Sequence, residues 1–338
     1  MGNVLEGIAA WDEPPKQSPS GSEEERGRWQ RTRDELIRVA KRNKWKKTHV
    51  ANRSGIPAGT LYPWFDGTYN GVVANVTERV ESFIRSVSEM SATAINIPVA
   101  PAFVETPTAR QQIDTLMYAQ LMPSMVVIVL AAGMGKTITA NHYRDSHPNV
   151  IKVTMRPTTK SMQRMLAVIR DELDLNDKSP TGLERSIGRR LKRNGKQTLL
   201  MVDEAQNLTD ESVNQLRYFL DEYGVGIALL GNMELYGRWG EGEPKPAYAQ
   251  LHRRIGMRMR VLTPSSGDVD AIADAWGIED PEIRKLCHAL ARKPGALGQV
   301  TETLKLAHMY ANGATRDLRA EDILAATRNR GMVEALHA

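Results

Sequence analysis

Met125-Val126-Val127-Ile128-Val129-Leu130, followed by Ala131-Ala132-Gly133-Met134-Gly135-Lys136-Thr137, is the stretch on which the fold turns. An unbroken, β-branched apolar run of this length reads as a strand buried on both faces, as in a parallel sheet. It empties into small residues and Gly-Lys-Thr, and a helical stretch, Ile138–Arg144, takes over. In such a unit the glycines let backbone N–H groups wrap a phosphate, and the helix N-terminus adds partial positive charge. Lys136 is placed to reach the β- and γ-phosphates of a nucleotide, and the Thr137 hydroxyl to ligate Mg2+. Ala132, Gly133, Met134, Gly135, Lys136 and Thr137 are therefore the expected nucleotide contacts. The full pattern starts with glycine at position 130, where this chain has Leu130, a substitution that should cost backbone freedom at the loop entrance. Taken alone, Gly-Lys-Thr is also compatible with a surface turn.

Downstream elements weigh against that alternative. Leu199-Leu200-Met201-Val202-Asp203-Glu204 is an apolar strand ending in two acids, which is costly unless they meet a cation or water. Asp203 is placed to hold Mg2+ through water and Glu204 to polarise an attacking water. The strand Gly226–Gly231 ends at Asn232, which could orient that water; the alternative is a plain Gly-Asn turn. Arg253-Arg254 precedes the last strand. An arginine supplied by a neighbouring subunit can stabilise the charge of a phosphoryl-transfer transition state, and Arg254 is the candidate. Arg258 and Arg260 continue the basic run, so a DNA-facing or solvated role competes.

The chain has 338 residues, enough for about two domains. Residues 1–27, rich in Pro, Ser and Glu, read as a disordered tail, and 28–90 as a helical module. Residues 91–101 read as an extended linker, 102–265 as an α/β core and 266–338 as an all-helical lobe with a tail. The strands expected in the core are Met125–Leu130, Val150–Met155, Thr198–Val202, Gly226–Gly231 and Arg258–Leu262, alternating with helices as a parallel sheet requires. No run approaches the ~20 apolar residues of a membrane span, and the N-terminus lacks a signal-peptide pattern. The single cysteine, Cys287, excludes an internal disulfide framework and fits a reducing compartment. The seven histidines show no metal-ligand spacing.

Net charge is +5, but Arg26–Arg53 holds eleven Lys/Arg against two acids, leaving the remainder about −4. Such a block suits a polyanion as well as it suits a solvated helix face. It borders a candidate helix-turn-helix: Lys47–Ser54, a Gly55-Ile56-Pro57 turn, then Ala58–Asp66, with Ala51, Gly55 and Leu61 at the required spacing. Thr60 and Tyr62, with Trp64 beside them, would face a groove, and Lys46, Lys47 and Arg53 would meet phosphates. Trp45, Trp64 and Phe65 read more naturally as the core of a small domain. Helical hairpins of this kind also bind protein.

With these elements in order, the chain resembles the phage Mu transposition protein B family of AAA+ ATPases over roughly residues 45–330. Besides the nucleotide motifs, the resemblance rests on Gly59-Thr60, Tyr69-Asn70-Gly71, Phe103-Val104-Glu105-Thr106, Gly231-Asn232, Ala271-Ile272-Ala273-Asp274-Ala275-Trp276 and Lys293-Pro294-Gly295-Ala296-Leu297. It implies an AAA+ P-loop core with a helical lid and an N-terminal helix-turn-helix, with Phe103 and Val104 near the adenine. It implies ATP and Mg2+ as cofactors, slow DNA-stimulated hydrolysis, and a helical homo-oligomer on double-stranded DNA with little sequence preference. It further implies selection of target DNA and activation of a partner transposase, in the bacterial host cytoplasm at the nucleoid and without a membrane. The family's lid carries a γ-phosphate-sensing arginine after Pro-Gly-Ala-Leu; here that residue is Gly298, with Arg292 or Lys293 as substitutes. By analogy with DNA-binding relatives of this ATPase class, Arg156, Lys160 and Arg164 form the first candidate DNA surface. Arg189, Arg190, Lys192 and Arg193 form the second. A solvated helix face is the alternative for each. Two other functions fit the same residues: a helicase loader or replication initiator, and a helix-turn-helix repressor with a degenerate ATPase core.

Overall fold

The structure, a computed structural model, describes residue 11 and residues 13–95, 98–177, 182–193, 197–239 and 249–331. Contacts divide the chain into two units, residues 1–97 and 98–338. In the first, α1 (Glu23–Arg42) starts where Ser22 and Glu25 exchange backbone and side-chain bonds as a capping box. The helix-turn-helix follows as α2 (Lys47–Ser54) and α3 (Ala58–Asp66), joined at Gly55 with φ 65°. Val50, Ile56, Leu61, Trp64 and Phe65 turn inward against α1 and α4 (Val73–Ile95). The buried indoles are satisfied: Trp29 Nε1 donates to Trp64 O at 2.9 Å and Trp64 Nε1 to Thr77 Oγ1 at 3.0 Å.

Three expectations for this region are corrected. Much of the tail read over residues 1–27 belongs to the module, although residues 1–10 and 12 lie outside the described residues. Trp11 is buried and donates to Trp45 O, and Lys16 and Gln17 N–H groups both donate to Asp66 O. That crossing explains Gly67, whose φ is 77° and where a Cβ would lie 1.9 Å from Gln17 O. The glutamate run, read as solvated tail, is the first turn of α1, where acids favour the positive end of the helix dipole. The linker read over 91–101 is helical through Ile95, because the first proline, Pro98, restrains only the residue before it. Trp64 is fully buried, which agrees with its reading as small-domain core and removes it from the groove-facing candidates.

In the second unit α5 (Pro107–Leu121) leads to β1 (Met125–Leu130), which sits inside a parallel sheet of order β2-β3-β4-β1-β5. The others are β2 (Val150–Thr154), β3 (Leu199–Asp203), β4 (Gly226–Gly231) and β5 (Ile255–Val261). Strand alternation sorts the core into two faces. Val126, Ile128 and Leu130 pack with α5, α6 (Lys136–Ser146) and the lid. Met125, Val127 and Val129 pack with α7 (Met162–Glu172), α8 (Leu183–Arg193) and α9 (Asp210–Tyr223). Met155 and Thr198, read as strand, lie just outside β2 and β3. β5 begins three residues before the expected Arg258 and stops at Val261. It is an edge strand whose exposed Gly256, Met257 and Arg260 break the continuous apolar run that marks an interior strand.

After α10 (Met233–Trp239) and α11 (Ala249–His252) come the lid helices α12 (Ser266–Ala275), α13 (Pro281–Ala291), α14 (Ala296–Gly313) and α15 (Ala320–Asn329). Cys287 is buried in the lid, and burial pushes its thiol up to about 11, so it stays protonated near neutrality.

Asp268, fully buried at the start of the lid, accepts from Thr108 N and Oγ1 and from Ser265 N and Oγ, all at 2.8 Å. Burial alone would raise its carboxyl; the bonds from Thr108 and Ser265 together outweigh burial and hold it below the usual 3.8. A carboxyl depressed by folding contributes stability that is complete above its unfolded value, about 3.9, and lost as pH falls through the folded one. Asp268→Asn should therefore destabilise by about 2–4 kcal/mol near neutral pH. In thermal melts the gap between the variant and the parent protein should narrow on acidification; a gap unchanged between about pH 6 and about pH 3 contradicts the assignment.

Candidate functional site

The loop after β1 is shaped by two left-handed glycines, Gly133 at φ 78° and Gly135 at φ 82°. A Cβ on Gly133 would lie 1.8 Å from Gly295 O, because the lid loop rests directly against it. The Gly298 N–H donates to Gly133 O at 2.9 Å, so the lid reads the loop through backbone. α6 opens at Lys136 with no side-chain cap, and its first N–H groups face a cavity of about 390 Å³ between the loop, Glu204 and Asn232. Such an end is suited to an anion.

Leu130 causes no strain. It is 2% exposed, pairs with Val261 in regular strand register, and lies before the left-handed positions. The backbone freedom expected to be lost there is not needed until Gly133. Met134 enters by backbone only, since its side chain is buried beneath the loop.

β3 delivers the acids. Asp203, 1% exposed, accepts from Thr137 Oγ1 at 2.9 Å and from the Glu204 N–H at 3.0 Å. Lys136 Nζ lies 3.8 Å from its Oδ1, and Lys152 Nζ 3.2 Å from its Oδ2. Glu204 takes a left-handed φ of 55° and points outward, with Oε1 3.1 Å from Lys136 Nζ and Oε2 2.6 Å from Gln206 Nε2. Thr137 and Asp203 offer oxygen donors side by side, which suits Mg2+ accompanied by phosphates and water. Among the described residues no three His, Cys, Asp or Glu side chains gather at a metal site.

Sequence reasoning missed Lys152 and Gln206. A signal for Lys152 was available, because a lysine inside the apolar strand Val-Ile-Lys-Val needs a buried partner. Gln206 carried none.

Beside the phosphate cavity lies a mostly apolar one of about 240 Å³ lined by Phe103, Val104, Ile138, Ile272, Trp276 and Leu297. The Phe103 ring stacks flat on His142, with centroids 3.8 Å apart. Asn232 borders the same cavity as Glu204, with its Oδ1 accepting the Glu234 N–H at 2.9 Å.

Arg254 is remote from this site. Its carbonyl accepts the Met125 N–H at the opposite end of β1, roughly 16 Å of strand away. Its guanidinium pairs with Asp221 at 2.9 Å. The two candidate DNA surfaces are not brought together either. Arg156, Lys160 and Arg164, all exposed, follow β2 at the loop end of the sheet, and Arg164 donates to Thr158 O. Arg189, Arg190, Lys192 and Arg193 lie toward the end of α8, where Leu191 O accepts from Thr198 just before β3, at the other end.

In the N-terminal unit Lys47 is held structurally. Its Nζ lies 3.7 Å from Glu13 and 4.3 Å above the Phe65 ring, whose centroid is 4.1 Å from the Arg33 guanidinium. Arg53 stacks 4.7 Å above Trp45, Tyr62 packs against the module core, and Lys46 and Thr60 are half-buried.

Residues 120–238 match the family model of the AAA domain, and residues 253–329 that of the C-terminal part of the Mu B transposition protein. The chain is 34% identical over 268 residues to the "ATP-dependent target DNA activator B" of Escherichia phage Mu, spanning 78% of this chain and 83% of that protein. The figures are the same for the activator B of Escherichia phage D108. The "Mu-like prophage FluMu DNA transposition protein B" of Haemophilus influenzae is 32% identical over 274 residues, 80% of this chain and 92% of that one.

Removing one partner of a buried ion pair strands the other charge, at a cost of about 3–5 kcal/mol. Lys152→Met should lose stability on that scale in denaturant titrations. The same substitution in an Asp203→Asn background should cost less than half as much. Equal losses in both backgrounds would show that Lys152 does not serve Asp203.

Proposed function

The chain belongs to the Mu B transposition protein family, and from that premise we propose that it is an ATP-dependent DNA-binding protein that assembles on duplex DNA and activates a transposase. The observation carrying this reading is the convergence of Lys136, Thr137, Asp203 and Glu204 at one loop, beneath a lid that touches the same loop through Gly298.

In this reading Lys136, the loop amides and the start of α6 bind the phosphates, while Phe103 and Val104 border the base. Thr137 and Asp203 would hold Mg2+, which would supply charge neutralisation for bound phosphates. Glu204 accepts a hydrogen bond from the attacking water and takes its proton as the water attacks, and Asn232 orients that water. Arg254 supplies positive charge to the site of a neighbouring copy. The helix-turn-helix, Arg156–Arg164 and Arg189–Arg193 offer phosphate contacts, which give sequence-independent binding that weakens steeply with salt. The relatives' names, target DNA activator and DNA transposition protein, support target selection and a link to a transposase, and residence in the host cytoplasm at the nucleoid is part of the same proposal. Among the described residues no helix is long and apolar enough to cross a membrane. The degenerate-core repressor loses its footing, since Leu130 sits unstrained and Gly298 makes a specific contact.

Electron microscopy with duplex DNA should show regularly decorated DNA with ATP and bare DNA with ADP. Lys136→Ala should abolish decoration, and normal assembly by that variant would refute the reading. Arg254→Ala should keep nucleotide binding and lose about 10³-fold in turnover. Mixing it with Lys136→Ala, itself inactive, should restore part of the activity, because some junctions then pair an intact loop with an intact arginine. Absence of any restoration excludes action in trans.

A further inference from the structure

We propose that Gln112 is a positioning residue for phosphate binding: its amide grips the carbonyl of Lys136 and so aims the Thr137 N–H at the phosphate cavity. The proposal rests on the reading of this loop as a nucleotide site. Gln112 lies on α5 and is fully buried, and its Nε2 donates to Lys136 O at 2.9 Å. The Lys136 C=O and the Thr137 N–H belong to one planar peptide unit and point in opposite directions. At this end of α6 the first helical bond runs from the Thr139 N–H to Gly135 O, at 2.9 Å. The Thr137 N–H precedes it and is one of the donors a helix start leaves over. A donor held on the carbonyl fixes the tilt of that peptide plane. It also draws electron density toward the oxygen, which makes the N–H a stronger donor. Thr137 lines the phosphate cavity and Gln112 does not, so Gln112 acts through the peptide and never touches the ligand.

α5 carries a second buried glutamine, and the contrast between the two separates structure from function. Gln120 is fully occupied. Its Nε2 donates to Pro148 O at 2.9 Å and to Gln197 O at 3.0 Å, and its Oε1 accepts from Tyr143 Oη at 2.6 Å. Gln112 Oε1, by contrast, is buried with no hydrogen-bond partner. Turning that amide over would set its oxygen against Lys136 O, two acceptors face to face, so the orientation is fixed. An orphaned buried carbonyl costs stability, and an apolar side chain of the same length would not. What the apolar side chain would lack is the bond to Lys136.

The helix behind Gln112 is held firmly enough to serve as its mount. Thr106 caps it, with Oγ1 accepting the Ala109 N–H at 3.1 Å. Thr108, one turn before Gln112, donates to Asp268 of the lid through N and Oγ1, both at 2.8 Å. Gln120 ties the far end to Tyr143 of α6. Phe103 and Val104, which line the apolar cavity, lead directly into the cap. One helix therefore bears on the lid, the apolar cavity and the phosphate-binding peptide, and Gln112 is its contact with the last.

The test is calorimetric titration of the full chain with ADP and Mg2+, with thermal melts and steady-state ATP turnover on duplex DNA alongside. Gln112→Met keeps the length of the side chain and removes both the bond and the orphaned oxygen. It should weaken ADP binding about tenfold, the worth of one hydrogen bond, and raise the KM for ATP by a similar factor while kcat changes far less. Its melting temperature without nucleotide should be equal to or above that of the unaltered protein, a result that a residue serving only packing would not give. Gln112→Leu also lacks the donor, should weaken ADP binding in the same way, and covers a folding failure of the first variant. ADP affinity within about twofold of the unaltered protein in both variants overturns the assignment. A loss of affinity that comes only with a lowered melting temperature in both variants assigns Gln112 to packing and overturns it as well. Failure of the unaltered protein to take up ADP overturns the nucleotide reading itself, and this role with it.

Discussion

A single buried carboxylate organises the nucleotide end of the molecule. Asp203 is 1% exposed, and a charge in that position is tolerated only with compensating partners. Its partners come from three elements: Lys152 from β2, Lys136 and Thr137 from α6, and the backbone of Glu204 beyond β3. Satisfying Asp203 therefore sets the angle at which α6 leaves the loop and keeps β2 and β3 in register. It also accounts for the turn at Glu204. With the Glu204 N–H drawn back onto Asp203, the chain turns through φ 55° and the second carboxylate is thrown forward into the cavity. One acid is buried and paired while its neighbour faces the cavity, and that division of labour follows from position in the strand.

How much of this was legible in the sequence depends on what each residue faces. The interior strands β1 and β4 read correctly to the residue because both faces are covered and every position is apolar. β5 read short because an edge strand carries polar residues that mimic a loop. The module's start read as a tail because composition hides a capped helix and a tryptophan whose partner lies 34 residues away. In the site, the lysine and threonine were picked out by the local Gly-Lys-Thr pattern and the acids by their place at the end of an apolar strand, and the fold brings the two motifs together. Lys152 and Gln206 owe their roles to where β2 and the turn after Glu204 end up, which no local pattern states.

Gly298 has a physical reading of its own. A Cβ at position 298 would lie 3.3 Å from Gly133 Cα, already tight, and a longer side chain there would contest the approach of lid to loop. With glycine, the lid closes backbone to backbone through the Gly298 N–H. The shape of the phosphate loop is thereby transmitted to α14 by direct contact, without a charged side chain reporting on phosphate. Bulk at position 133 is excluded by Gly295 O, 1.8 Å from where a Cβ would lie, while position 298 is merely tight against Gly133.

The distribution of charge along the strands bears on assembly. The loop and Arg156–Arg164 occupy the C-terminal end of the sheet, while Arg254 and Arg189–Arg193 occupy the N-terminal end. Since β1 is an interior strand that separates the two, Arg254 and the loop of its own chain stand at opposite ends of the sheet. In an isolated chain it pairs with Asp221, both side chains well exposed, and such pairs are worth about 0–1 kcal/mol. That tie is weak enough to exchange for a phosphate presented by another copy. A contact that joins the arginine end of one copy to the loop end of the next uses two unlike surfaces. Heterologous contacts of that kind generate rings when the rotation closes and helical filaments when it does not. The positions of the loop and of Arg254 at opposite ends of one sheet are compatible with the proposed filament, and equally with a ring.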